Sequence, residues 1–101
     1  MFLYNVTVNV QKDVEESWLQ WMKDHHIPKV LETGLFKRHK VFKLLLNDDS
    51  GGSNYSIQYF VESRELLDQY LEQHAPALRA EHQNQYDSKV VAFRTLMEEI
   101  S

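Results

Sequence analysis

Proton transfer is the chemistry that the histidines of this 101-residue chain could perform, because a partly buried imidazole titrates near neutral pH. His26 and His74 each stand two positions before a proline, in the sequences HIP and HAP. Helical periodicity favours His25 as the more buried of two adjacent histidines, whereas the repeated sequence favours His26. We predict His26 and His74 as general acid/base residues. The alternative is that these side chains only cap helix ends.

A metal or cofactor is not expected beside these histidines. The adjacent side chains of His25 and His26 diverge by about 100° on a helix, so they cannot easily bind one ion. The absence of cysteine excludes disulfides, thiolate nucleophiles, zinc ribbons and iron–sulfur clusters. Carboxylates such as Glu15 and Glu16 lack the apolar surroundings of a perturbed acid, and they are expected to be solvated. We therefore predict no metal and no cofactor.

Two tryptophans three positions apart could bind a flat ligand near the histidines. Trp18 and Trp21 share one stripe of a predicted helix, and each carries up to about 250 Å² of surface to bury. Packing into the core is the alternative interpretation. Tyr59 faces the same space from a predicted strand, and Asn5 or Arg94 could stabilise an oxyanion. The predicted ligand-binding residues are therefore Trp18, Trp21, Tyr59, Asn5 and Arg94.

The elements that must position these residues follow from periodicity and from helix start and stop signals. Period-two alternation predicts a strand over residues 2–10. Asp13 offers the N-cap of a helix, in a capping box. The helix is expected to end near His26, because Pro28 disfavours helical geometry in the residue before it. Pro28 can open a second short turn, which Gly34 closes as a left-handed cap.

The second half of the chain repeats this order of elements. The turn-rich sequence DDSGGS at residues 48–53 separates two strand-forming runs and predicts a hairpin. Ser63 can cap a second helix, and Pro76 restarts helix in the direction of Tyr86. The remaining predicted strands cover residues 36–47, 55–62 and 89–100.

The order β-α-β-β-α-β predicts a single ferredoxin-like α+β domain over residues 1–101, with a four-stranded antiparallel sheet and both helices on one face. In the last strand we place Arg94 on the opposite, open face, because the alternative puts an unpaired charge in the core. Asn5 and Gln58 share this face with apolar residues such as Phe60. Since the face is too apolar for water, we predict a homodimer through apposed sheets.

Composition argues against nucleic-acid and membrane partners. The net charge is −4, and no segment gathers the cluster of Lys and Arg that phosphate binding requires. The nearest candidate, within residues 37–43, is better interpreted as a solvated strand. The N-terminus lacks the pattern of a signal peptide, and no run approaches the roughly 20 apolar residues of a membrane span. We expect a cytoplasmic protein.

Four segments together resemble a small bacterial family of unknown function within the dimeric α+β barrel superfamily. They are WLQWMKDHHIPKVLETGLF, YSIQYFVES, LEQHAPALRAEH and VAFRTL, and the similarity extends from Tyr4 to Glu98. The resemblance implies a ferredoxin-like protomer and a homodimer with facing sheets, but no activity. Haem-degrading members of the superfamily use an asparagine in the first strand, which Asn5 matches. Those enzymes also use a tryptophan and a histidine from the second half of the chain, whereas Trp18 and Trp21 of this sequence lie on its first helix. This difference argues against haem degradation.

Three functions remain open from the sequence. The first is binding of a small hydrophobic or aromatic molecule by the homodimer, between helices and sheet. The second is a cofactor-independent oxygenase or isomerase with His26 or His74 as general base. The third is a structural or regulatory dimerisation module without a ligand. A cavity beside Trp18 and His26 would favour the first two.

Overall fold

Alternating apolar and polar residues form a four-stranded antiparallel sheet in this computed structural model, which describes residues 1–45 and 51–101. The strands are β1 (Phe2–Val10), β2 (Arg38–Lys43), β3 (Ser53–Val61) and β4 (Val90–Glu98). Their order β2-β3-β1-β4 puts β1 and β3 in the centre and leaves β2 and β4 at the edges. The predicted ferredoxin-like topology is confirmed. Residues 48–50 of the predicted hairpin turn lie outside the described residues.

The first helical segment lies between β1 and β2. It consists of a 3₁₀ turn (Lys12–Val14), α1 (Glu15–Trp21), a π-helical turn (Met22–His26) and α2 (Ile27–Glu32). The predicted Asp13 cap is wrong, because Val14 holds the N-cap position and no side chain caps α1. The Asp13 carboxylate instead accepts a hydrogen bond from Lys89, just before β4. The chain leaves α2 as predicted through Gly34, whose φ of +77° lies in the left-handed region.

The π-helical turn replaces the helix break that Pro28 predicts. The N–H of Ile27 donates to the carbonyl of Met22, five residues earlier. In a regular α-helix the ring of a proline crowds the carbonyl four residues before it, and the wider turn relieves this crowding. The helix therefore continues through His26. The extra residue in the turn brings His26 toward the core and leaves His25 exposed.

The second helical segment follows β3 and agrees with its prediction. It consists of α3 (Arg64–Gln73), α4 (Ala75–Tyr86) and a 3₁₀ turn (Asp87–Lys89). Ser63 caps α3, since its hydroxyl oxygen accepts a hydrogen bond from the Leu66 amide at 3.2 Å. α4 starts directly after His74, with Pro76 in its first turn. Within the described residues, no helix is both long and apolar enough to cross a membrane.

The core lies between the sheet and the helices. Tyr4 of β1 and Tyr59 of β3 stand directly opposite each other, and both are buried. Trp18 of α1 and Leu67 of α3 belong to the same core cluster, each with 0% exposure. The alternate residues of β1 and β3 pack into this cluster, as the period-two alternation of a strand requires.

The faces of β4 are the reverse of the prediction. Arg94 pairs with Val6 of β1, and residues directly opposite in an antiparallel pair share one face, so Arg94 lies on the helix side. Val91 and Phe93 occupy the open face, where they are 50% and 66% exposed. The burial cost that motivated the prediction does not arise, because β4 is an edge strand and Arg94 remains exposed there.

A polar network occupies the centre of the open face. Asn5 Nδ2 donates to Thr7 Oγ1 at 3.0 Å, and Asn5 Oδ1 accepts from Ser56 Oγ at 2.7 Å. Gln58 Nε2 donates in turn to Ser56 Oγ at 3.3 Å. These partners leave Asn5 only 8% exposed although it faces away from the helices. The predicted position of Asn5 and Gln58 on the open face is confirmed by the strand register.

Candidate functional site

A small cavity lies between the sheet and the helices. Its polar lining consists of three tyrosines, two histidines and two arginines: Tyr4, Tyr59, Tyr70, His26, His82, Arg79 and Arg94. Aliphatic side chains and Met22 complete the lining. The cavity measures about 20 Å³. Because a water molecule requires roughly 10–15 Å³ on this measure, there is room for one water-sized group but not for an aromatic ring.

Two tryptophans position the two histidines of the lining. The rings of His26 and His82 have centroids 5.5 Å apart. Trp18 Nε1 donates to His82 Nε2 at 3.0 Å, so a neutral His82 carries its proton on Nδ1. Trp21 stacks on His26 with ring centroids 5.4 Å apart and 27° between the planes. Both imidazoles are therefore fixed in orientation by indole rings of α1.

Burial keeps both histidines neutral. It lowers the pKa of His26 and the pKa of His82 to about 4. Part of each decrease comes from the Arg94 guanidinium and, for the pKa of His26, from the neighbouring His82, whereas the Glu81 carboxylate raises the pKa of His26. At neutral pH each imidazole thus offers one donor nitrogen and one acceptor nitrogen.

His26 carries a polar atom whose hydrogen-bonding capacity is not used by the fold. Its Nδ1 is buried and has no hydrogen-bond partner among the described residues. Such atoms are rare in folded proteins, and each costs about 1–3 kcal/mol. His26 lines the cavity, so a ligand group that reached this buried nitrogen would supply the hydrogen bond that the fold leaves unmade.

Two arginines reach the cavity from different elements. Arg79 of α4 donates from Nη2 to Tyr4 Oη at 3.4 Å. Arg94 reaches the lining from β4. Both arginines are exposed, so they mark where the cavity meets solvent. Neither forms a salt bridge with an acidic residue in the described part of the chain.

Three tyrosines contribute to the lining. The ring of Tyr4 lies 6.0 Å from that of Tyr59 and 5.3 Å from that of Tyr70, between centroids. Burial raises the pKa of Tyr59 and the pKa of Tyr70, so both phenols remain protonated. The cavity thus combines neutral donors and acceptors inside with two cations at its edge. This arrangement can hydrogen-bond a polar group and stabilise negative charge.

Three of the predicted site residues meet at this cavity: His26, Tyr59 and Arg94. Trp18 and Trp21 contact the two histidines from behind and are not part of the lining. Trp18 is fully buried, which agrees with the core-packing interpretation for this residue. Trp21 is only partly buried and remains accessible for contact with a ligand.

Asn5 and His74 lie away from the cavity. Asn5 is on the open face, so the sheet separates it from His26 and the two cannot act together within one protomer. His74 lies at the junction of α3 and α4, where its ring stacks on that of Tyr70 with centroids 6.2 Å apart. The histidine that stands beside His26 is His82 rather than His74.

His82 is the site residue that sequence reasoning did not single out. The periodicity of α4 places it on the inner face with Leu78, which is a usable signal. Its hydrogen bond with Trp18, 64 positions away, arises only from the packing of the two helical segments. Across residues 1–45 and 51–101, no group of three His, Cys, Asp or Glu side chains is placed to hold a metal ion.

Several solved structures share this fold. An ethyl tert-butyl ether d (EthD) family protein from Bacillus halodurans has a TM-score of 0.69 at 14% identity, over 99% of this chain and 100% of that one. A dimeric ferredoxin-like protein from an uncultured marine organism has 0.68 at 10% identity, over 98% and 97%. SnoaB, a cofactor-independent oxygenase from Streptomyces nogalater, has 0.66 at 12% identity, over 99% and 94%. At these identities the similarity shows the fold alone.

Comparison at the level of sequence gives the family. No curated protein matches the chain at a significant level. A family model matches residues 1–100, which is nearly the entire chain. The resemblance to a family of unknown function with a ferredoxin-like fold is confirmed. The chain belongs to the family described as Domain of unknown function (DUF4286).

Proposed function

We propose that the protein binds a small molecule in the cavity between helices and sheet, and that His26 is the residue that recognises it. The observation that supports this proposal is the buried Nδ1 of His26, which has no hydrogen-bond partner among the described residues. A polar ligand group placed against this nitrogen would remove a penalty of about 1–3 kcal/mol. Small-molecule sites typically combine apolar lining with a few polar groups that fix the orientation of the ligand.

The size of the cavity limits which part of the ligand enters it. At about 20 Å³ the cavity accepts a group such as a hydroxyl. The rest of the molecule would lie toward solvent, near the exposed Arg79 and Arg94. A larger group would require rotation of Met22, whose unbranched side chain adapts readily.

Native mass spectrometry of the protein purified from its own host tests the proposal. We expect the wild-type protein to retain a small molecule and His26→Ala to lose it while remaining folded. His25→Ala is the matched control, because the adjacent His25 is exposed and its removal should not change retention. Equal retention by His26→Ala, or no retained molecule in the wild-type protein, would contradict the proposal.

Cofactor-independent oxygenase or isomerase activity is the second candidate. SnoaB, which is described as a cofactor-independent oxygenase, shares the fold. In this case His26 would take a proton from a carbon acid, and Arg94 would stabilise the resulting anion. A pKa of about 4 makes the unliganded His26 a weak base at neutral pH. Binding therefore ranks before catalysis.

Enolisation of acetylacetone provides a test of the enzymatic candidate. Exchange of its central C–H for deuterium, followed by NMR, should be accelerated by the wild-type protein and by His25→Ala but not by His26→Ala. Absence of acceleration would remove the enzymatic candidate and leave the binding proposal in place. His74 lies outside the lining, and neither proposal requires it.

We also propose that two copies associate through the open faces of their sheets. Phe42, Val91 and Phe93 lie on this face by register, and they are 47%, 50% and 66% exposed. An apolar face of this kind favours association over exposure to water. The polar network around Asn5 would then lie at the centre of the interface. A protein described as dimeric and ferredoxin-like shares the fold.

A further inference from the structure

Two arginines from different elements line the same cavity. Arg79 lies on α4 and Arg94 on β4, and both line the cavity while remaining exposed. A guanidinium has five N–H donors, and Arg79 uses one of them on the Tyr4 hydroxyl at 3.4 Å. Donors therefore remain available on both arginines for a ligand.

The charges around the cavity leave a positive surplus at this edge. Lys29 and Glu81, which also act on His26, pair with each other at 2.8 Å. Arg79 and Arg94 form no ion pair with a carboxylate of the described residues. Guanidinium groups engage a carboxylate through parallel hydrogen bonds, which makes this edge suited to a small anion.

We propose that the ligand is a small organic anion that carries a hydroxyl group at the end away from its charge, as in a hydroxycarboxylate. Its anionic group binds Arg79 and Arg94, and its hydroxyl enters the cavity next to His26. A hydroxyl can donate or accept, so it satisfies Nδ1 of His26 in either imidazole tautomer. The cavity of about 20 Å³ matches a hydroxyl in size. This inference rests on the proposed binding function and adds the chemical class of the ligand.

Three probes of the same shape and different charge test the class. They are para-hydroxybenzoate, para-hydroxybenzyl alcohol and para-hydroxybenzylamine, titrated into the wild-type protein by calorimetry. We expect the anion to bind about tenfold more tightly than the neutral alcohol, and the cation to bind more weakly than both. Added salt should weaken binding of the anion alone, because the two arginines are exposed to screening.

Single substitutions test whether the two arginines cause the preference for the anion. Arg94→Gln and Arg79→Gln should each reduce the affinity for para-hydroxybenzoate about tenfold and leave the affinity for the alcohol unchanged. Arg38→Gln is the matched control, because Arg38 lies on the open face with its guanidinium 4.5 Å from the ring centroid of Phe60. Circular dichroism shows whether each variant is folded.

The outcomes separate the ligand class from the binding function. Equal affinities for the anion and the alcohol would overturn the class, and so would an anion affinity that neither arginine substitution changes. Failure of all three probes to bind would overturn it as well. The native mass spectrometry of His26→Ala then decides the binding function independently, since a retained neutral or cationic molecule supports the site without the anion.

Discussion

His26 and His82 are held uncharged inside the fold, and this makes the protein sensitive to acid. A histidine in an unfolded chain has a pKa of about 6.5, whereas burial lowers the pKa of each to about 4 in the folded protein. As the pH falls, the unfolded state therefore binds protons first. The stability that these groups contribute is complete above about pH 6.5 and is lost as the pH falls toward about 4.

Urea unfolding at a series of pH values tests this dependence. Between about pH 7.5 and about pH 5 we expect the free energy of unfolding to fall by about 2 kcal/mol for each of the two histidines. His26→Phe keeps a ring against Trp21 and removes one titrating group, so it should halve the loss. His25→Phe, at an exposed position, should leave the loss unchanged. If the free energy of unfolding of His26→Phe fell with pH as much as that of the wild-type protein, His26 would not be buried in its neutral form.

The indole N–H of Trp18 can be tested separately from its ring. Trp18→Phe retains aromatic contact with Tyr55, whose ring centroid lies 5.1 Å away, but removes the donor to His82 Nε2. A buried nitrogen left unpaired costs about 1–3 kcal/mol, so we expect Trp18→Phe to destabilise more than Trp21→Phe by about that amount. Equal destabilisation, together with an unchanged His82 tautomer by nitrogen NMR, would contradict this role.

At the scale of the elements, the Glu15 carboxylate joins α1 to strands β2 and β3. Glu15 accepts hydrogen bonds from Tyr55 Oη at 2.6 Å and Ser53 Oγ at 2.9 Å, and its ion pair with Lys43 measures 3.2 Å. The hydrogen bond from Tyr55 is the main cause that lowers the pKa of Glu15 to about 2. The expectation that this carboxylate is solvated is wrong. It fixes the start of α1 against β2 and β3.

Replacement of this carboxylate should loosen the attachment of α1. We expect Glu15→Gln to lower the free energy of unfolding by about 1–3 kcal/mol at neutral pH, because charged hydrogen bonds are lost. The contribution of Glu15 is present above its usual pKa of 4.5 and is lost as the pH falls toward about 2, so the difference from wild type should shrink in acid. Chemical denaturation gives both values.

Glu16→Gln is the control for this prediction, because Glu16 is adjacent and exposed. Burial and the Glu15 carboxylate raise the pKa of Tyr55 to about 12. In Glu15→Gln this pKa should return toward 10, which ultraviolet titration of the phenol can follow. A Tyr55 titration that is the same in both proteins would mean that the two groups do not interact.

Most of the helices and strands can be predicted from residues that are adjacent in the sequence. The errors arise where the structure depends on contacts between distant parts of the chain. The alternation of β1, the Ser63 cap and the left-handed Gly34 all depend on a few adjacent residues. The π-helical turn keeps Met22 and Val30, on either side of Pro28, buried in the core. The predicted face of Arg94 is wrong because a buried charge is costly only where solvent cannot reach it, and β4 is an edge strand. The position of β4 at an edge follows from the order of the strands in the sheet.

At the scale of the whole molecule, the open face can be tested by placing a charge in it. Phe93 is 66% exposed on β4, and Phe93→Lys should convert a dimer at micromolar concentration into a folded monomer by sedimentation. Ile100→Lys is the control, because Ile100 is 90% exposed but lies beyond β4. A monomeric wild-type protein, or a dimer in Phe93→Lys, would contradict association through this face.

The candidate site was harder to predict than the fold, because it is assembled from the whole molecule. Its polar lining combines residues of both helical segments with residues of β1, β3 and β4. His26 and Tyr59 were predicted from their own segments. His82 was not singled out, because its nearness to His26 depends on how the two helical segments pack together. No local pattern contains such a contact.

The π-helical turn also determines how this sequence should be aligned with others. A relative with a regular α-helix at this point has one residue fewer between Trp18 and Pro28. Without a gap, such an alignment places exposed His25 opposite the position that faces the cavity. A single gap within residues 22–26 restores His26 to that position. Searches for relatives with the same site should therefore allow this gap before they compare histidines.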